Sequence, residues 1–272
     1  MKYKILVLTI ERNIHRYDKL IKNLTDQNLI NGIDFQLFFG IDYKNTSKTI
    51  LNMICSNLGN YCPYATLSCA VSHILLWNYI RLSSLDYAII LEDDTYINVD
   101  KYINIREDVE YLVQKGIVYL YNDIHTNLFN TKIVLSMGCY CISKQIATIL
   151  YSYFIKNKIT YHIDFQLNYV LKNLNINQFV YKNNSNELTY QINGNNSSMS
   201  IKHSNIFLNI IKDTYTHRIL TTPIVRFGDL EFDTYVALLI VLSVFITIIS
   251  HNYAITLTIL LFLIYQVVDL LI

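Results

Sequence analysis

Residues 1–234 alternate short apolar runs with stretches whose apolar positions recur every three or four residues. The runs predict buried strands, and the recurrences predict helices with one apolar face. Residues 4–10 form the first run, rich in branched side chains, and residues 34–39 form a second, closed by Gly40. Residues 87–91, 117–121 and 134–142 predict further strands. Between them Ile14, Tyr17, Leu20, Ile21 and Leu24 share a helical face, with Lys and Arg opposite. A helix is predicted over 68–82, with Val71, Ile74, Leu75, Asn78 and Leu82 along its stripe. Two more fall at about 144–155 and 162–173. Strands alternating with helices predict an α/β fold with crossovers and a mostly parallel sheet. Residues 183–200 are nearly all polar, include Gly194, and read as a loop.

The pattern changes at the C-terminus, where Asp269 is the sole charged residue between Tyr235 and Ile272. Two apolar runs, 235–250 and 254–271, flank His251, Asn252 and Tyr253. A bilayer span needs roughly 20 apolar residues, so each run is short alone and the pair predicts a transmembrane helical hairpin. The expected organisation is a catalytic domain over 1–205, a connector over 206–234 and a membrane-embedded tail over 235–272. Residues 5–10 are too short for a signal-peptide core and are followed at once by Glu11 and Arg12. The expectation is therefore a C-terminally membrane-anchored protein with a cytosolic catalytic domain.

Composition narrows the classes. The chain has 272 residues, is 52% hydrophobic and only 16% charged, which excludes a disordered chain. Its net charge of +1 gives no basic surface for nucleic acid. Five cysteines are an odd number without the spacing of a small disulfide scaffold, in keeping with a reducing compartment.

The chemistry concentrates at Glu92, Asp93 and Asp94, which follow the apolar run 87–91. Open α/β sheets bind ligands at the C-terminal ends of their strands. Crowded carboxylates there suit a hard divalent cation, Mg²⁺ or Mn²⁺, holding a diphosphate. Ser72 and His73 are read at the start of the 68–82 helix, where free N–H groups favour anions. Trp77 lies one turn further on and reads as a core anchor.

Together these segments resemble glycosyltransferase family 25, which contains bacterial lipooligosaccharide transferases and procollagen galactosyltransferases. Residues 5–16 (ILVLTIERNIHR) resemble the family's opening strand and Arg-x-x-x-Arg element. Residues 39–42 (FGID) resemble its A-x-D-G segment, and residues 67–73 with Trp77 resemble its I-G-C-x-L-S-H-x-x-x-W block. Residues 89–94 match I-L-E-D-D. Residues 137–143 and 162–164 echo a later strand and a P-x-D element. The chain departs from the pattern at Tyr43 and Ser68, where Gly is usual, at Ala65 and Thr66, where an acid is usual, and at His162, where Pro is usual.

The resemblance implies a GT-A-like nucleotide-sugar-binding domain that transfers a hexose from a nucleotide sugar, typically a UDP-sugar, with inversion. The acceptor would be a hydroxyl of a glycan, lipid-linked chain or protein. It further implies that Glu92 and Asp94, with His203, hold the metal. Asp164 would be the base. Arg12, Arg16, Asp42, Ser72, His73 and Asp93 would contact the nucleotide sugar. The opposing expectation is a degenerate domain that serves as a membrane-tethered scaffold.

Overall fold

Strand β1 (Tyr3–Thr9) sits between β2 (Phe35–Phe39) and β3 (Tyr87–Glu92), parallel to both. Around this centre the computed structural model describes residues 1–120, 124–126, 132–134, 137–181, 188–191, 223–227 and 230–250. The chain divides into two units, one of residues 1–60 and 64–192 and one of 61–63 and 193–272.

In the first unit α1 (Ile14–Asp26) connects β1 to β2, while α2 (Lys48–Met53) and α3 (Tyr64–Leu82) lead to β3. Then come β4 (Thr95–Ile97), α4 (Val99–Leu112) and β5 (Gly116–Tyr119). The short antiparallel pair β6 (Ile124–Thr126) and β7 (Lys132–Val134) precedes β8 (Cys139–Ser143). After it follow α5 (Lys144–Asn157), α6 (Ile163–Asn173), β9 (Asn177–Val180) and β10 (Thr189–Gln191). The main sheet runs β2-β1-β3-β8-β5-β9. Three of its pairings are parallel, and β8 is antiparallel to both β3 and β5. The expected α/β fold with a mostly parallel sheet is therefore present.

The central strands are apolar throughout because helices cover both faces. On one face Ile5, Val7, Ile89, Leu91, Cys139 and Cys141 pack with Leu20 and Leu24 of α1 and Tyr102 and Val109 of α4. The other carries α3 and α5, where the Trp77 and Phe154 rings lie 5.7 Å apart.

Several elements differ from the sequence reading. Helix α3 begins at Tyr64, just after Pro63, rather than at 68. Its predicted stripe is also wrong in part, since Leu75 and Leu82 are exposed while Leu76, Trp77 and Ile80 are buried. The cause is that α3 packs against α2, α5 and α6 as well as lying in the core, so no single stripe describes it. The strand expected over 134–142 is two separate strands, β7 and β8. Within the supposed loop 183–200, Leu188 and Thr189 are buried and β10 pairs antiparallel with β4. Residues 183–187 and 192–200 lie outside the described residues.

In the second unit β11 (Pro223–Phe227) and β12 (Leu230–Asp233) form an antiparallel pair that leads into α7 (Thr234–Ser250). The buried Asp233 caps this helix, accepting a hydrogen bond at Oδ1 from the Val236 N–H at 2.9 Å. The buried Arg226 donates from Nε to the Cys62 carbonyl at 3.0 Å. Among the described residues no helix is long and apolar enough to cross a membrane. The predicted second span, 254–271, and the putting together of a hairpin with it, lie outside the described residues.

Candidate active site

From β1 the chain passes to β2 on one side and from β3 it continues to β5, β8 and β9 on the other, so the boundary between β1 and β3 is a switch point of the kind where α/β sheets bind ligands. Leu8 pairs with Glu92 in the register, so the end of β1 and the acidic end of β3 are neighbours.

Asp93 and Asp94 have different surroundings. Asp93 is buried, and its Oδ2 accepts from Thr9 Oγ1 at 2.7 Å and from Asn13 Nδ2 at 3.1 Å. Its Oδ1 lies 3.2 Å from Arg16 Nε. Burial raises the Asp93 acid, and Arg16, Thr9 and Asn13 act against that rise. Asp94 is more open and pairs with Arg16 Nη2. One guanidinium thus bridges two adjacent carboxylates.

Arg12 pairs with Asp42 instead, Nε to Oδ2 at 2.9 Å, and its guanidinium stands 5.2 Å from the Tyr43 ring centre. Asp42 also accepts from the Lys44 N–H at 3.1 Å, the geometry of a turn residue. The segment that carries it is docked by Ser72, whose Oγ accepts from the Ile41 N–H at 2.8 Å. The same hydroxyl donates to the Ser68 carbonyl at 2.6 Å. Ser72 and His73 therefore lie in the middle of α3, where backbone N–H groups are already bonded within the helix. The anion site expected at a helix start is not formed there, and Ser72 positions the Asp42 turn.

His73 is fully buried. Its Nδ1 is 3.0 Å from the Tyr140 hydroxyl, which also accepts from Trp77 Nε1 at 3.0 Å. Its Nε2 has no hydrogen-bond partner and lies 3.4 Å from Glu92 Oε1. Cys69, one helical turn before His73, completes a group whose ligand atoms all lie within 4.8 Å of one another.

Asp164 sits in the first turn of α6. Burial, then the nearby Glu92 charge, push its acid up to about 8. The Cys69 thiol is raised by burial and by the charges of Glu92, Asp164 and Asp94 in turn. Among the described residues, the metal-ligating side chains whose ligand atoms come within 4.8 Å of one another are Cys69, His73 and Glu92, and neither Asp94 nor Asp164 joins them. The carboxylates at the end of β3 are donors of the kind that Mg²⁺ or Mn²⁺ prefers. His203 lies outside the described residues. Thr9, Asn13 and Tyr140 escaped the sequence reading because their roles arise from contacts between distant strands and helices. Cys69 escaped it as well, although its place four residues before His73, on one helical face, was a signal that could have found it.

Among solved structures the fold is similar to a glycosyltransferase involved in the glycosylation of the major capsid of PBCV-1. That likeness has 11% identity and a TM-score of 0.40, and covers 71% of this chain and 96% of the other. It is also similar to S. aureus TarS 1-349, at 13% identity and a TM-score of 0.40, over 72% of this chain and 61% of that one. A third likeness is to the glycosyltransferase GlyE of Streptococcus pneumoniae TIGR4, at 10% identity and a TM-score of 0.37, over 66% and 45% of the two chains. No curated relative matches the sequence. Residues 2–180 match glycosyltransferase family 25 (LPS biosynthesis protein), a span that holds the sheet, the acidic strand end and α6. On that match the chain belongs to glycosyltransferase family 25 and is a glycosyltransferase.

Proposed function

We propose that the enzyme transfers a hexose from a UDP-sugar to an acceptor hydroxyl, with inversion, and that Glu92 and Asp94 hold a Mg²⁺ or Mn²⁺ ion. The observation that supports this reading is the family match over residues 2–180 together with Glu92, Asp93 and Asp94 at the C-terminal end of β3, beside the switch point of the sheet. When bound, a divalent cation offsets the charge of the departing diphosphate.

Asp164 is the base. The acceptor oxygen bonds to the anomeric carbon on the face opposite the nucleotide, the bond from that carbon to the diphosphate oxygen breaks, and the acceptor proton passes to the Asp164 carboxylate. Its raised acid keeps much of the residue protonated near neutral pH in the metal-free chain. A cation held by Glu92 would offset the Glu92 charge, the smaller cause of that rise after burial, and would shift Asp164 toward its base form. Arg16, which pairs with Asp93 and Asp94, would turn toward the donor's phosphates when Asp94 is engaged elsewhere. Arg12, Asp42 and Tyr43 form a neighbouring element for the nucleoside.

The acceptor belongs to the class of glycan, lipid-linked or protein hydroxyls, and residues 235–272 tether the catalytic unit to a membrane on its cytosolic side. Support for the tether is the apolar composition of that segment and the outward Leu238, Val241, Leu242 and Phe245 of α7.

The test is UDP release from UDP-hexoses by the full chain with Mn²⁺ or Mg²⁺ and with chelator. Transfer that depends on the cation and falls at least about a hundredfold in Asp94→Asn is expected. Undiminished transfer in chelator would remove the metal from the reading.

A further inference from the structure

The contacts of Cys69, His73 and Glu92 differ in kind from those of the carboxylate edge. Helical spacing sets Cys69 and His73 on the same face of α3, and that face meets the end of β3 at Glu92. The His73 ring is held in place from behind. Trp77 Nε1 donates to the Tyr140 oxygen, whose own proton and remaining lone pair let His73 Nδ1 take either role, and metal binding at Nε2 selects the tautomer with the proton on Nδ1. In that tautomer Nε2 presents its lone pair forward, toward Glu92 Oε1 at 3.4 Å and Cys69. His73 Nε2 is buried without a hydrogen-bond partner, an unmet polar atom that a bound cation would satisfy. Sulfur, imidazole nitrogen and one carboxylate oxygen are the donors of a zinc site, whereas magnesium and manganese prefer oxygen alone.

We propose that Cys69, His73 and Glu92 form a site for a borderline-soft divalent cation of the zinc class. Ligands of a tetrahedral zinc ion lie about 2.0–2.3 Å from it and hence about 3.5 Å from one another. The largest separation in the group is within 4.8 Å, so rotation of the Cys69 and Glu92 ends about a fixed His73 closes the site. Tyr140 then plays the part of the outer partner that accepts from Nδ1 in the ligating tautomer. Three protein ligands leave a fourth position for water. The thiol, which burial and neighbouring carboxylates hold protonated, gives up its proton to solvent on metal binding.

Occupation has a consequence for transfer that rests on the function proposed above. Glu92 cannot serve both ions fully, so zinc in this site withdraws a ligand from the hard cation and inhibits competitively with Mn²⁺.

The test loads the full chain with Co²⁺ as a spectroscopic substitute for zinc. A thiolate-to-cobalt charge-transfer band is expected in the native sequence and is absent in Cys69→Ser. Zinc affinity falls by more than about tenfold in Cys69→Ser, and by about tenfold in Tyr140→Phe, which keeps the ring and removes the outer partner. X-ray absorption of the zinc-loaded native chain needs no variant and gives one sulfur in the first shell. Absence of the cobalt band, its survival in Cys69→Ser, or a zinc shell of nitrogen and oxygen alone overturns the site. A cobalt band that depends on Cys69 beside transfer indifferent to Mn²⁺ leaves the site standing and removes the competition with the hard cation.

Discussion

Adjacent carboxylates at the end of β3 do opposite work, and substitution should separate them. Asp93 is enclosed by Thr9, Asn13 and Arg16. Asp93→Ala leaves these buried donors without an acceptor and is expected to cost about 3 kcal/mol of stability. Asp94→Asn changes stability by less than about 0.5 kcal/mol, because the residue is partly exposed, but removes transfer. Denaturant unfolding and initial rates on the two variants check this, and equal stability losses would undo the division. The acidic triplet itself was legible from the sequence. The division was not, since Asp93 and Asp94 lie past the end of β3, in the turn to β4, where strand alternation does not apply. What no local pattern carried was Arg16 across the gap, because its partners are some eighty residues away in the chain.

Asp164 makes a second prediction at this scale. Its acid rises from an ordinary 3.8 to about 8 in the folded chain, so the folded state holds a proton that the unfolded state releases. The stability this contributes is fully present below pH 3.8 and is lost as pH climbs to about 8. In metal-free protein, thermal unfolding should therefore decline across that window more steeply for the native chain than for Asp164→Asn. Identical profiles would mean that the carboxyl titrates normally.

At the scale of elements, the turn after β2 and the middle of α3 are fitted to each other. A Cβ on Gly40 would stand 2.5 Å from Ser72 Oγ and 2.8 Å from its Cβ. Gly40→Ala must push the turn off the helix and break the bond from the Ile41 N–H to Ser72. The expected loss is about 1–3 kcal/mol of stability, together with a higher KM for the donor because Asp42 and Arg12 move with the turn. An unchanged melting temperature would show that the turn moves freely. Such close approach cannot be read from one sequence, where Gly40 marked only the end of a strand. The same holds for α3. Its start was read four residues late because the helical pattern sought one apolar stripe, whereas packing on α2, α5 and α6 buries most of its circumference. Strand β10 was hidden for the converse reason, as Leu188 and Thr189 are a short buried pair within a polar stretch.

Taken as a whole, the molecule joins two kinds of hydrophobicity. In the first unit it is consumed by the sheet and its helices, and the alternation of apolar runs and helical periods made that part readable in outline. In the second, α7 begins at the buried Asp233 cap and then turns Leu238, Val241, Leu242 and Phe245 outward. Val241 is 66% exposed and Phe245 60%, a concentration of bare apolar surface that water disfavours and acyl chains do not. If this helix enters a bilayer, a charge near its centre opposes insertion by about 2.5–3.5 kcal/mol. Val241→Lys together with Phe245→Lys should then move the protein from the floating to the soluble fraction in liposome flotation at neutral pH. The UDP release of the first unit should be retained, since the substitutions lie outside the matched span 2–180. Equal flotation of native and variant chains would exclude α7 as the anchor and leave any tether to residues 251–272. Loss of UDP release in soluble, folded variant would instead assign α7 a part in catalysis.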